Sequence, residues 1–148
     1  MATLEDAELY LADVERSISD LKYKHESKQN ERVLSAHVWM TDQITQYIHK
    51  VTLLRDSVTT VKDKHVGNFK SSTQFDGVLN YCNNLVKLLN ELNFLYKTRA
   101  NFVDIRMKLS YSLPQLSENI KHIRNRFNII KGQVSKKPFE YEDDNKWF

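Results

Sequence analysis

The sequence predicts an all-α protein, an elongated helical bundle or antiparallel coiled coil of about four helices followed by a flexible C-terminal tail. Apolar residues recur in steps of three and four over long stretches, which places them on one face of a helix. Only 3 Gly and 2 Pro occur among 148 residues, so turn signals for β-sandwiches or barrels are scarce. No apolar run approaches the roughly 18 residues of a membrane span, and the first residues resemble no secretory signal.

The first helix is predicted over residues 3–28. Thr3 followed three residues later by Asp6 is typical of a capping box. Acidic residues near its start and lysines near its end complement the helix dipole. Its apolar residues keep a heptad spacing: Leu4, Ala7, Leu11, Val14, Ile18 and Leu21.

The second helix is predicted over residues 30–66, where Gly67 supplies a C-terminal stop because glycine adopts the left-handed cap conformation at no steric cost. The segment GNFKSSTQ that follows is interpreted as a loop. The apolar seam of this helix is Leu34, Val38, Ile44, Ile48, Val51, Leu54, Val58 and Val61.

The third helix is predicted over residues 73–111. Its middle, LVKLLNELNFLY, is apolar around more than half of its circumference, whereas a two-helix seam needs only one narrow stripe. This helix is therefore expected to contact at least two others. Its candidate partner-binding residues are Leu85, Leu89, Leu92 and Leu95.

The fourth helix is predicted over residues 113–134. Ser112 is a suitable N-cap and Pro114 is tolerated in a first turn, so a chain break before residue 113 is favoured over one long helix kinked at Pro114. Its candidate partner-binding residues are Leu116, Ile120, Ile123, Phe127 and Ile130.

Charged residues flank the seams of the first and fourth helices. Glu8 and Glu15 pair with Lys131 and Arg124 in one antiparallel register, since the residue numbers of each pair have the same sum. Such pairs select orientation rather than supply stability, because exposed ion pairs contribute only about 0.2–1 kcal/mol. The first helix would then return onto the fourth; the alternative is that both pair with a different polypeptide.

The sequence lacks the motifs of catalysis and of metal or cofactor binding. It has no Gly-x-Ser-x-Gly, Walker loop or His-Glu-x-x-His, so we expect a protein that is not an enzyme and binds no cofactor or metal. Its single cysteine, Cys82, permits no internal disulfide. A reducing intracellular location is expected, cytoplasmic first, with the nucleus left open.

The chain is interpreted as a helical domain over residues 1–134 and a tail over residues 135–148. The tail interleaves acidic residues with aromatic ones, a composition that stays unfolded alone and can dock on a partner. Its docking candidates are Phe139, Tyr141, Trp147 and Phe148.

Two segments, FVDIRMKL and IIKGQVSKKPF, resemble KxDL-type coiled-coil subunits of lysosome- and endosome-associated assemblies. The signature Lys-x-Asp-Leu reads here Arg106-Met107-Lys108-Leu109, with a base in place of the acid. This departure removes the defining motif, and the sequence is not assigned to that family.

These patterns predict a structural or adaptor subunit that assembles with other helical, coiled-coil proteins, in a hetero-complex rather than a homo-oligomer. Tethering, vesicle- or organelle-trafficking, cytoskeletal and kinetochore complexes use such chains. The alternative is an autonomous regulatory bundle, like those that precede SNARE motifs. A nucleic-acid interface on the basic fourth helix is a weaker alternative, and peripheral membrane contact is left open.

Overall fold

The computed structural model describes residues 3–27, 31–64 and 69–135. Within these ranges the chain is helical and has no strand, so the predicted all-α class is confirmed. The helices are α1 (Leu4–Glu26), α2 (Glu31–Ser35), α3 (His37–Lys64), α4 (Phe69–Lys97) and α5 (Phe102–Ser135). None of the described helices is both long enough and apolar enough to cross a membrane.

The four long helices pack side by side into a bundle. Helix α3 contacts α1 and α4, and α5 contacts α4 and α1, so α4 has two neighbours, as its wide apolar stripe predicts. Side-chain contacts between neighbours run antiparallel: Lys108 reaches Glu91, whereas Arg126 reaches Gln74. One cluster of buried apolar side chains extends through all the described helices.

Helix α1 begins as the sequence predicts. The Thr3 hydroxyl accepts a hydrogen bond from the backbone N–H of Asp6 at 3.1 Å, and the backbone N–H of Thr3 donates to the Asp6 carboxylate at 3.0 Å. This reciprocal capping box satisfies two N–H groups that lack an intrahelical partner.

The predicted single helix over residues 30–66 is wrong, because it is interrupted at Ala36. The N–H of Ala36 donates to the carbonyl of Val33 at 3.1 Å, a tighter turn than that of an α-helix. Val38, predicted in the seam, is 66% exposed because it lies six residues before Ile44 in α3, about 120° around the helix from the buried stripe that includes Met40 and Tyr47.

Helix α4 begins earlier than predicted, at Phe69 instead of residue 73, so most of the predicted GNFKSSTQ loop is helical. The serines and threonine of this segment do not oppose a helix start, since such residues are favoured around helix N-termini. Helix α4 ends at Lys97, and the prediction that it continues to residue 111 is wrong.

The break between the last two helices lies at residues 98–101. The N–H of Ala100 donates to the carbonyl of Leu95 at 2.9 Å and that of Arg99 to Tyr96 at 3.2 Å, which together form a Schellman motif. Arg99 takes the left-handed position that usually holds glycine, with φ of 56°. Asn101 then caps α5, its side-chain oxygen accepting from the N–H of Asp104 at 2.9 Å.

Helix α5 continues through Pro114, so the predicted boundary between residues 111 and 113 is wrong. Proline removes the N–H that would bond to the carbonyl four residues earlier, that of Ser110. Both Ser110 and Pro114 are exposed, so this carbonyl lies on the solvent side of the helix. The helix buries Leu109, Leu113 and Leu116 on another face, which packs into the core.

Candidate functional site

The predicted partner-binding seams lie mostly in the core of this chain. Leu95 and Ile120 are partly buried against that core. The other predicted partner-binding side chains are buried under the chain's own helices. Partner binding through these seams therefore remains a prediction, and it requires the bundle to open. The buried side chains are Leu85, Leu89, Leu92, Leu116, Ile123, Phe127 and Ile130.

The four predicted orientation-setting charges form one cluster between α1 and α5. Arg124 donates to both carboxylate oxygens of Glu15, at 2.6 and 3.0 Å, and to Glu8 at 3.2 Å. Lys131 donates to Glu8 at 2.8 Å. The structure thus brings both predicted pairs together within one chain; that they select the helix orientation remains a prediction.

The electrostatics of this cluster favour its charged form. The hydrogen bond from Lys131, with the charges of Lys131 and Arg124, lowers the pKa of Glu8 despite its partial burial. The hydrogen bond to Glu15 is the main cause that raises the pKa of Arg124. Glu8 and Arg124 are therefore each stabilised in the ionised state by their neighbours.

Three basic residues of α5 contact the chain's own groups. Arg124 and Lys131 pair with the acids of α1, and Arg126 donates to the Gln74 side chain at 2.9 Å. The Arg126 guanidinium also lies 5.5 Å from the centre of the Tyr81 ring. Phosphate binding through this face would compete with these contacts, which weakens the nucleic-acid alternative.

Cys82 lies in the apolar core of α4, where burial raises its pKa to about 12. A thiol with this pKa stays protonated at neutral pH and is a poor nucleophile. Within the described parts of the chain, no group of three or more His, Cys, Asp or Glu residues is placed to hold a metal ion.

A row of exposed apolar side chains runs along the first half of α5. Val103, Met107 and Tyr111 are 65%, 67% and 67% exposed. Their four-residue spacing puts them on one face, and we call this row the α5 strip. They line a shallow groove of about 710 Å³ together with Phe102, Arg106 and Ser110.

A second surface feature follows the outer junction of α4 and α5, which we call the α4–α5 seam. Pairs of side chains, one from each helix, bridge this junction, and we call these pairs its rungs. Glu91 accepts a hydrogen bond from Lys108 at 2.9 Å, and the Tyr81 and His122 rings stack with centres 4.9 Å apart. The remaining rungs are Asn84–Asn119 and Gln74–Arg126.

Gly77 makes room for the last of these rungs. A Cβ atom on Gly77 would lie 2.7 Å from the Arg126 side chain, which is closer than van der Waals contact. The absence of a side chain at residue 77 lets the guanidinium lie across α4 and reach Gln74 and Tyr81.

The seam ends in an apolar groove of about 720 Å³ lined by Val86, Phe94 and Leu95, with Lys87 and Lys108 at its rim. We call it the seam groove. Phe94 is 64% exposed. The seam groove adjoins the α5 strip, because the Lys108 ammonium lies 5.7 Å from the centre of the Tyr111 ring.

The α5 strip and the seam groove were not predicted from the sequence. The available signal was a second apolar row in α5, at residues 103, 107 and 111, beside the row that contains Ile105 and Leu109. Only one of the two rows can face the core. The tail candidates Phe139, Tyr141, Trp147 and Phe148 lie outside the described residues.

Comparison with models of protein families, with curated proteins and with solved structures finds no match for this chain.

Proposed function

We propose that this chain is a non-enzymatic structural or adaptor subunit that binds helical partners in a multi-protein complex of the tethering, trafficking, cytoskeletal or kinetochore type. The proposal includes an elongated, antiparallel coiled-coil arrangement of the helices and a cytoplasmic location. The single observation that carries it is the α5 strip, three large apolar side chains exposed in a row on one helix face.

The spacing of the strip suits a helical partner. Isolated exposed apolar residues are ordinary, but a contiguous row on a regular element is typical of an interaction site. Residues four apart repeat about every 6 Å along a helix, which matches the spacing of apolar anchors on a second helix. Val103, Met107 and Tyr111 would supply the buried centre of such an interface, with Arg106 at its rim.

The experiment is purification of tagged full-length protein from its native cells, comparing the wild type with Met107→Glu. An adaptor is expected to retain at least two helical proteins together, and Met107→Glu to lose them because it places a charge in the centre of the interface. Ile129→Glu, a change at another exposed apolar residue of α5, is the matched control. Equal recovery with Met107→Glu would overturn the proposal.

A second candidate is an autonomous regulatory bundle, like the domains that precede SNARE motifs. The observation that favours it is the burial of nearly every predicted seam residue within this chain, since a regulatory bundle folds alone and binds one partner at a time. Chemical cross-linking of the purified complex separates the two candidates: one partner per chain supports the regulator, and two or more support the adaptor.

A further inference from the structure

The chain that follows α5 starts at one end of the α4–α5 seam. Helix α5 ends at Ser135, nine residues beyond the Gln74–Arg126 rung, while the seam groove lies towards the opposite end of the helix. A segment that leaves α5 and turns back antiparallel along α4 and α5 would therefore pass the rungs in order: Arg126 first, then His122, then Lys108.

The spacing of the aromatic residues that follow Ser135 matches the spacing of the rungs. An extended chain advances about 3.3 Å per residue and a helix about 1.5 Å, so each extended residue spans roughly two helical ones. On this scale, an extended segment that turned back along the seam would bring Tyr141 to the level of His122 and Trp147 to the level of Lys108, beside the seam groove.

The charges of the two surfaces are complementary. Residues 140–148 carry four acids, Glu140, Glu142, Asp143 and Asp144, against one base, Lys146, a net charge of −3. The seam presents Arg126, Lys87 and Lys108; of its two acids, Glu91 is paired with Lys108 and the Glu118 carboxylate lies 3.1 Å from His122 Nε2. An acidic segment on the seam would gain favourable interactions with Lys87 and Arg126.

Apolar groups also match along this path. Tyr141 would arrive at the exposed edge of the Tyr81–His122 stack, and aromatic rings add favourably to such stacks. Trp147 and Phe148 would arrive at the seam groove, whose Val86, Phe94 and Leu95 side chains leave apolar surface uncovered.

We propose that residues 139–148 of the same chain bind along the α4–α5 seam, with the Trp147 indole in the seam groove. Bound there, the segment covers Lys108 and lies beside the α5 strip at Tyr111. This inference goes beyond the proposed function, and its test needs no partner.

The test uses the full-length protein with Trp39→Phe, which leaves Trp147 as the single tryptophan of the chain. We expect acrylamide to quench Trp147 with a Stern–Volmer constant about half or less of that of a free peptide of residues 136–148, because a groove buries most of the surface of its ligand. Phe94→Ser should raise the constant towards the peptide value. Leu9→Ser, at a side chain 67% exposed on α1, is the matched control and should leave it unchanged.

A charge exchange tests the path along the seam. Lys87→Glu should increase quenching by repelling the acidic segment, and adding Asp143→Lys should reverse that increase. Quenching equal to that of the peptide in the unsubstituted tail, or no response to Phe94→Ser, would overturn the proposal. Protection that depends on protein concentration would place the segment on a second copy and would overturn binding within one chain.

Discussion

At the scale of single residues, Glu8 makes the stability of the contact between α1 and α5 depend on pH. It accepts hydrogen bonds from both Lys131 and Arg124, and its folded-state pKa is lowered from the ordinary value of 4.5, first by the hydrogen bond from Lys131. A carboxyl group with a lowered folded pKa stabilises the fold fully above its unfolded pKa, and this stabilisation disappears as pH falls through the folded pKa.

We therefore expect the unfolding free energy to fall as pH decreases below about 4.5, and Glu8→Gln to reduce this dependence because the amide does not titrate. Urea denaturation monitored by circular dichroism, from pH 6 to pH 3, measures the effect. Repeating the series in 1 M NaCl should narrow the difference between the two proteins, because salt screens exposed charges. Identical pH profiles for the two proteins would contradict a role for Glu8.

The Glu8–Lys131 and Glu15–Arg124 contacts show what the sequence can predict at this scale. Their register follows from two regular heptad patterns and needs no knowledge of the rest of the fold. Val38 shows the opposite case: the apolar pattern includes it in the seam, although it lies six residues before Ile44, about 120° around the helix, and it is exposed. The break at Ala36 rests on a single i→i+3 hydrogen bond, which has no clear signal in the sequence.

At the scale of elements, the turn between α4 and α5 places a non-glycine residue in the left-handed conformation. This conformation costs an L-residue with a Cβ atom roughly 1–2 kcal/mol, and Arg99 has φ of 56°. We expect Arg99→Gly to raise the unfolding free energy by about 1 kcal/mol, as the removed strain exceeds the added freedom of the unfolded chain. Urea denaturation measures this change.

The matched control for the turn is Lys97→Gly, at the last residue of α4 and two residues before Arg99. Glycine inside a helix is destabilising by about 0.5–1 kcal/mol, so this variant should move in the opposite direction. A loss of stability in both variants would show that residue 99 does not hold the left-handed conformation in solution.

Pro114 tests the continuity of α5. Proline inside a helix costs about 3 kcal/mol relative to alanine, and we expect a lower cost here because the exposed position of Ser110 and Pro114 lets solvent reach the freed carbonyl. We expect Pro114→Ala to raise the unfolding free energy by about 1–3 kcal/mol, with Gln115→Ala nearly neutral as its control. An unchanged stability would instead support a break at this position, as the sequence suggested.

The helix boundaries were less predictable than the helices themselves. Thr3 and Asp6 gave a clear start for α1, since a capping box depends on two side chains close in sequence. The α4–α5 break was missed because its left-handed residue is Arg99 rather than glycine. Asn101 followed by Asp104 is a usable N-cap signal for α5. The predicted start of the last helix was instead placed beside Pro114.

At the scale of the whole molecule, the candidate site is what the bundle leaves uncovered. The seams of α4 and α5 predict strong helix packing, but a pattern cannot say whether the covering helix belongs to the same chain. Leu89 and Phe127 are covered internally, whereas Met107 is not. This distinction depends on how four helices are rotated about their axes, which is set by all their contacts at once.

The division between core and surface predicts different effects for two apolar truncations in the same helix. Phe127 is fully buried and Met107 is 67% exposed. Truncation of a buried phenylalanine to alanine costs about 3–5 kcal/mol because it leaves a cavity, a large part of the roughly 5–15 kcal/mol that stabilises a typical domain. A substitution of an exposed side chain usually changes stability by less than about 0.5 kcal/mol.

We expect Phe127→Ala to lower the midpoint of urea denaturation strongly and Met107→Ala to leave it unchanged, while Met107→Ala reduces recovery of partners from native cells. The two measurements together separate folding from recognition, because a core residue affects partners only through the folded fraction. If Phe127→Ala retained full stability and lost its partners, the predicted seam of α5 would be an interface between proteins, and the bundle would have to open to form it.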